Sequence, residues 1–176
     1  MLSGLETELV TARYWPGFNE RGVLVLPLPA FPAHALPAAC EIDGITLKRK
    51  SEFHLTLLSR REAAAVRARI DDDEIESQFA ALDWTCRATG PCWLLGKAGD
   101  GNARSVIVLC AAPALDAFRT RLSSRCDVAL APVPAHVTLF VAGLMRGIGL
   151  GSHEAFHAMR VRVVADSEFD RDGARE

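Results

Sequence analysis

The chain has 176 residues, 49% hydrophobic and 24% charged, with a formal net charge of −2. That length and balance suit one domain with enough core to need no staples, and the lack of a long basic run excludes an extended duplex held mainly through its phosphates. The five cysteines, Cys40, Cys86, Cys92, Cys110 and Cys126, contain no Cys-x-x-Cys pair, which argues against a disulfide framework and a cysteine-rich zinc site and for a reducing cytoplasm.

Met1 to Val10 carries acids rather than a basic segment leading into an apolar one, so it does not read as a secretion signal. Val23 to Leu28 is expected as a first buried strand. The stretch Val23 to Cys40 lacks Asp, Glu, Lys and Arg and approaches membrane-spanning length, but Pro27, Pro29, Pro32 and Pro37 interrupt it too often for a helix. A strand and a proline-rich loop follow from that, with no membrane partner. Ile42 to Leu47 reads as a short strand or turn around Gly44, and the basic triplet Lys48-Arg49-Lys50 leads into a strand at Phe53 to Leu58. Arg60 to Leu82 is helical in character, in two pieces. Asp71 to Asp73 cap the second, whose Ile75, Phe79 and Leu82 fall on one face.

From Trp84 the period becomes that of strands. Trp84 to Thr89, a turn at Gly90-Pro91 and Cys92 to Lys97 are expected, then a hairpin at Gly99-Asp100-Gly101-Asn102 leading to Ser105 to Cys110. Pro113 opens a helix with Leu115, Phe118 and Leu122 on one face. Ala135 to Val141 reads as another buried strand. Beyond the glycines at 147, 149 and 151, a short helix or loop leads to a strand around Val161 to Val164 and a frayed tail from Asp166.

One pattern occurs twice in this series, His54-Leu55-Thr56-Leu57 and His136-Val137-Thr138-Leu139. A single His-x-Thr is weak evidence, since a lone histidine beside apolar residues is usually a satisfied packing residue. The second copy, with the same apolar positions and starting 82 residues later, is harder to ascribe to chance. On a strand each copy turns an imidazole and a hydroxyl to one face and anchors the other in a core. Two imidazoles flanking one phosphate suit in-line displacement, where one oxygen loses a proton as another gains one, and an unperturbed pKa of about 6.5 keeps both protonation states accessible. Thr56 and Thr138 are placed to donate to the non-bridging oxygens, without a metal.

These paired motifs, their spacing and the surrounding strands resemble the two-histidine (2H) phosphoesterase superfamily, which includes RNA 2′,3′-cyclic phosphodiesterases and bacterial proteins named for 2′-5′ RNA ligase activity. The resemblance implies an α+β fold, bilobal and pseudo-two-fold, with antiparallel sheets and flanking helices around a central cleft, residues 1–176 forming one domain of two intertwined lobes. It implies His54 and His136 as the catalytic pair, Thr56 and Thr138 as phosphate-binding residues, no cofactor, and a nucleotide or short RNA as partner. Which histidine is the acid stays open.

Further candidates are Tyr14, Trp15, Phe18 and Trp93 for base stacking or packing, and Arg60, Arg61 and Arg104 for phosphate or plain surface. His34 has no partner identified by the sequence. A rival motif, His153-Glu154-Ala155-Phe156-His157, matches the zinc-hydrolase pattern His-Glu-x-x-His. It has room for about two helical turns, and a third ligand would have to come from Asp166, Glu168, Asp170 or the last residues. A capped surface helix is the plainer reading. A non-catalytic nucleotide- or RNA-binding module is the remaining alternative, though binding alone does not require two proton-transfer groups.

Overall fold

The computed structural model describes residues 8–12, 14–29 and 36–169. In chain order the elements are β1 (Glu8–Ala12), β2 (Leu24–Pro27), β3 (Ala39–Ile42), β4 (Ile45–Arg49), β5 (His54–Leu58), α1 (Arg60–Arg67), α2 (Asp72–Ala80), β6 (Trp84–Lys97), β7 (Asp100–Ala111), α3 (Pro113–Cys126), β8 (His136–Ala142), α4 (His153–Met159) and β9 (Arg160–Val164). A 3-10 turn at Asp166–Glu168 follows. All described pairings are antiparallel. The larger sheet runs β1-β6-β7-β8-β4-β3 with β9 also on β6, and β2 and β5 form a second sheet. This is an α+β fold.

Local signals explain the helices. Ser59 and Glu62 form a reciprocal capping box at the start of α1, and Asp71 caps α2 by accepting from the Glu74 N–H. The two pieces stay separate because Asp71 to Asp73 favour a helix start, not a helix interior. Ala63, Val66, Ile75, Phe79, Leu115, Phe118 and Leu122 turn inward from α1, α2 and α3 onto Leu55, Leu57, Leu58 and Trp84. Each fully buried large side chain there contributes about 1.5–3 kcal/mol. A second core occupies one face of the larger sheet, where Leu47, Cys86, Leu94, Val106, Val108, Val137, Leu139 and Phe140 meet Phe53 and Phe169. A third, smaller one lies on the opposite face, where Ile148, Leu150 and Phe156 cover Leu95 and Ile107.

Three local expectations are corrected, and one strand is added. Gly90-Pro91 is no chain reversal: β6 runs through it, and the register steps from Thr89↔Leu109 to Cys92↔Val108. Bulging the pair out leaves the N–H-less proline without a ladder bond to miss, and Gly90 takes φ +73°. The hairpin turns earlier than expected, since Lys97 pairs with Asp100 and Gly99 supplies the left-handed residue at φ +79°. The chain from Asp166 is ordered as far as Phe169, whose buried ring stacks on Phe140 at 5.5 Å while Glu168 holds Arg162 and the Ala165 N–H. β1, for which the sequence carries no strand signal, exists because the edge of β6 offers it backbone partners. Residues 30–35, including His34 and most of the proline loop, lie outside the described residues, as does Asp170. Among the described residues no helix is long and apolar enough to cross a membrane.

Candidate active site

The two histidine motifs adopt one local structure. Along His54 to Leu58 the imidazole and Thr56 are partly buried while Leu55, Leu57 and Leu58 are buried, and His136 to Phe140 repeats this position by position. The consecutive buried pair at the end breaks a strict two-residue alternation, and each strand carries a β-bulge to allow it. In β5 the register passes from Thr56↔Val25 to Leu58↔Leu24, leaving Leu57 as the extra residue. In β8 it passes from Thr138↔Ile107 to Phe140↔Val106, leaving Leu139. Both bulges therefore fall three residues after the histidine, so both motifs bend at the same place.

The strands meet through β4. Lys48 and Arg49 pair with Val141 and Phe140, and the Lys50 N–H donates to the Leu139 carbonyl at 2.8 Å. After the bend at residues 51–52 the chain enters β5, which packs against β8. The imidazoles are close enough that the His136 charge opposes protonation of His54. All four predicted residues thus lie on two adjoining strands, each histidine sharing a face with its threonine.

Burial pushes both imidazoles below their ordinary range. For His54, burial is the main cause, the Lys50 ammonium adds to it, the Glu52 carboxylate opposes it and His136 lowers it further. For His136 burial outweighs a hydrogen bond to the Pro134 carbonyl. That bond, 2.8 Å from Nδ1 to an oxygen that only accepts, places the proton of the neutral ring on Nδ1 and leaves the Nε2 lone pair unprotonated.

Three supporting groups carried no motif in the sequence. Arg119 of α3 is 2% exposed. It donates to the Leu57 carbonyl at 2.9 Å, to the Ala131 carbonyl and to Glu62, so it satisfies the bulge of β5 and ties it to α1 and to the loop that leads through Pro134 into His136. Its only sequence signal was an arginine between Phe118 and Leu122 on a helix face otherwise apolar. Ser105, fully buried, accepts from the Ile148 N–H at 2.8 Å and pins the turn after β8. Gly147 in that turn has φ +78°, and a Cβ there would lie 3.0 Å from Thr138 Cγ2 and 3.3 Å from Val141 Cγ1. Only glycine lets the turn close over Thr138.

The other sequence candidates lie elsewhere in the fold. Trp15 packs edge-on to Phe18 and Phe79, and Trp93 edge-on to Phe156. Phe18 carries the Arg67 guanidinium over its ring, and Tyr14 is exposed. Arg104 donates to the Ala103 carbonyl, while Arg60 and Arg61 stand exposed at the start of α1. His153 and His157 sit exposed on a helix of seven residues, and Glu168 is held by Arg162. Among the described residues no three His, Cys, Asp or Glu side chains gather as a metal site. All five cysteines are free thiols. Comparison with protein-family models, curated proteins and solved structures gave no match.

Proposed function

We propose that the protein is a metal-independent phosphoesterase that opens a 2′,3′-cyclic phosphate or cleaves a 2′-5′ phosphodiester at an RNA end or in a nucleotide. The observation that carries this reading is the convergence of two strands with the same His-x-Thr face, the same burial pattern and the same bulge, bringing one imidazole within electrostatic reach of the other. In the hydrolytic direction His136, with its proton fixed on Nδ1, takes a proton from the attacking water through Nε2. The new P–O bond forms as the P–O bond to the ribose oxygen breaks, and protonated His54 delivers its proton to that oxygen. The bound phosphate anion favours the imidazolium that His54 needs, offsetting its burial and Lys50. Thr56 and Thr138 donate to the non-bridging oxygens. In ligation a ribose 5′-hydroxyl takes the place of the attacking water on the 2′,3′-cyclic phosphate, the P–O bond to it forms as the ring P–O bond breaks, and the same two imidazoles take and deliver the protons.

The test is incubation with 2′,3′-cyclic nucleotides and short 2′-5′ linked oligonucleotides, with and without chelator. Turnover indifferent to chelator and abolished by His54→Ala or His136→Ala is the expected result. Turnover that persists in both variants, or that stops with chelator, overturns it, and tight binding without product makes the protein a binding module.

A further inference from the structure

A pocket of about 450 Å³ opens between β4 and the turn after β8, lined by Lys48, Lys50 and Ser51 on one side and Val141, Leu144 and Met145 on the other. That volume lies within the range of small-ligand sites, about 300–1,000 Å³. We propose that this pocket is a second-nucleotide subsite, holding the neighbouring phosphodiester of an oligoribonucleotide whose terminal phosphate lies between His54 and His136. The inference rests on the catalytic reading for the position of the reacting phosphate and extends it to the substrate class, an RNA strand in preference to a mononucleotide.

Three observations carry it. Among the described residues neither Lys48 nor Lys50 pairs with a carboxylate. Lys50 spends one hydrogen on the Met145 carbonyl at 3.2 Å, which leaves two donors on that ammonium and three on Lys48 for an anion. The opposite wall is apolar, and Met145, 88% exposed, presents a polarizable side chain of the kind that adapts to a flat aromatic surface. A cationic wall facing an apolar one fits the two halves of a nucleotide, phosphate and base. The pocket also continues the site. Val141 and Thr138 both crowd the position a Cβ on Gly147 would take, so they share a face, and the Lys50 charge acts directly on His54. A strand leaving the reacting phosphate along that face runs into the pocket.

The experiment compares kcat/KM for an adenosine 2′,3′-cyclic phosphate with that for the dinucleotide carrying the same cyclic end, in the parent protein, Lys48→Glu and Met145→Ala. The dinucleotide is expected to be the better substrate. Lys48→Glu is expected to lower its kcat/KM about tenfold, the loss of one charge-assisted contact, and to leave the mononucleotide within about twofold. Equal use of both substrates by the parent protein, or an equal effect of Lys48→Glu on both, overturns the subsite. A fluorescein-labelled oligoribonucleotide titrated onto the His54→Ala/His136→Ala protein separates this from the chemistry. Weaker binding on adding Lys48→Glu, with a salt dependence shallower by about 0.7 in log–log slope, supports the subsite even if no turnover is found, and unchanged binding overturns it.

Discussion

The two histidine strands have one design and two means of holding it. Each bulge leaves the carbonyl of its extra residue without a partner in the strand pair, and a buried carbonyl must find a donor. At Leu139 the donor is backbone, the Lys50 N–H, supplied because β4 runs on past its pairing with β8. At Leu57, among the described residues, no strand pairs with β5 on the side away from β2, and the donor is the Arg119 side chain reaching 62 residues back along the chain. The same shape is therefore secured by sheet extension in one half and by a buried charge in the other. The difference matters because backbone pairing is insensitive to substitution, whereas the first motif depends on a single guanidinium and its carboxylate.

The largest effect that tests this comparison is on activity. If both motifs serve one displacement, His54→Ala and His136→Ala each lower kcat by about 10²–10⁴-fold, and the double variant loses little more than either single one. Losses that multiply in the double variant would mean that the imidazoles act independently, and the equivalence of the strands would then be structural only.

Arg119 comes next, and here the halves should differ. Arg119→Ala leaves Glu62 and the Leu57 carbonyl without their donor and is expected to cost about 3–5 kcal/mol in urea denaturation. Arg119→Lys, which keeps the charge but cannot reach three acceptors with a planar fork, should recover part of that stability and leave kcat depressed. Burial pushes the Glu62 carboxyl up, but its bonds with Arg119 and Ser59 outweigh that and hold it below its ordinary value. Its stabilising share is then fully present above the ordinary carboxylate pKa of about 4.3 and is lost as pH falls through the depressed folded value. Alanine at position 119 should flatten that acid limb; an unchanged limb would sever Glu62 from the network.

Most of the secondary structure was legible in the sequence, and so was the strand placement of His54, Thr56, His136 and Thr138, because a period of two over five residues and a capped helix are local facts. His54 and Thr56 could be placed on one face from spacing alone. What was not legible was whatever depends on contact between distant segments. β1 needed the edge of β6, and Phe169 needed the ring of Phe140. Arg119 interrupts an apolar helix face in the letters, but its acceptors come into view only when α3 is laid against β5. The bulges lay half-hidden: Leu57-Leu58 and Leu139-Phe140 break alternation in the letters, but only the register of β2 and β7 reveals that break as a bulge and not a strand end.

The threonines are expected to matter less than the histidines and to similar degrees. Thr56→Val and Thr138→Val, which keep the shape and remove the hydroxyl, should each lower kcat/KM about tenfold, the worth of one hydrogen bond to a charged oxygen, with serine restoring most of it. Gly147→Ala should perturb the whole turn and cost more than Thr138→Val, since its methyl would meet Ser105 Oγ and Val141 Cγ1 as well as Thr138 Cγ2 at a backbone φ of +78°. A loss of kcat/KM no larger than that of Thr138→Val would refute that wider effect.

The smallest effect is the most discriminating. With both imidazoles depressed, the pH optimum of kcat/KM should fall on the acid side of about 6.5, its rising limb set by the base and its falling limb by the acid. Lys50 lowers His54 and has no part in the shift of His136. Lys50→Met therefore raises the His54 pKa and leaves His136 in place, a shift that NMR titration of the imidazoles in the substrate-free protein measures without interference from the pocket. If His54 is the acid, the falling limb moves to higher pH and the bell widens. If His54 were the base, the rising limb would move instead and the bell would narrow, so one substitution of a side chain outside the motifs assigns the two roles that the symmetry of the letters leaves equal.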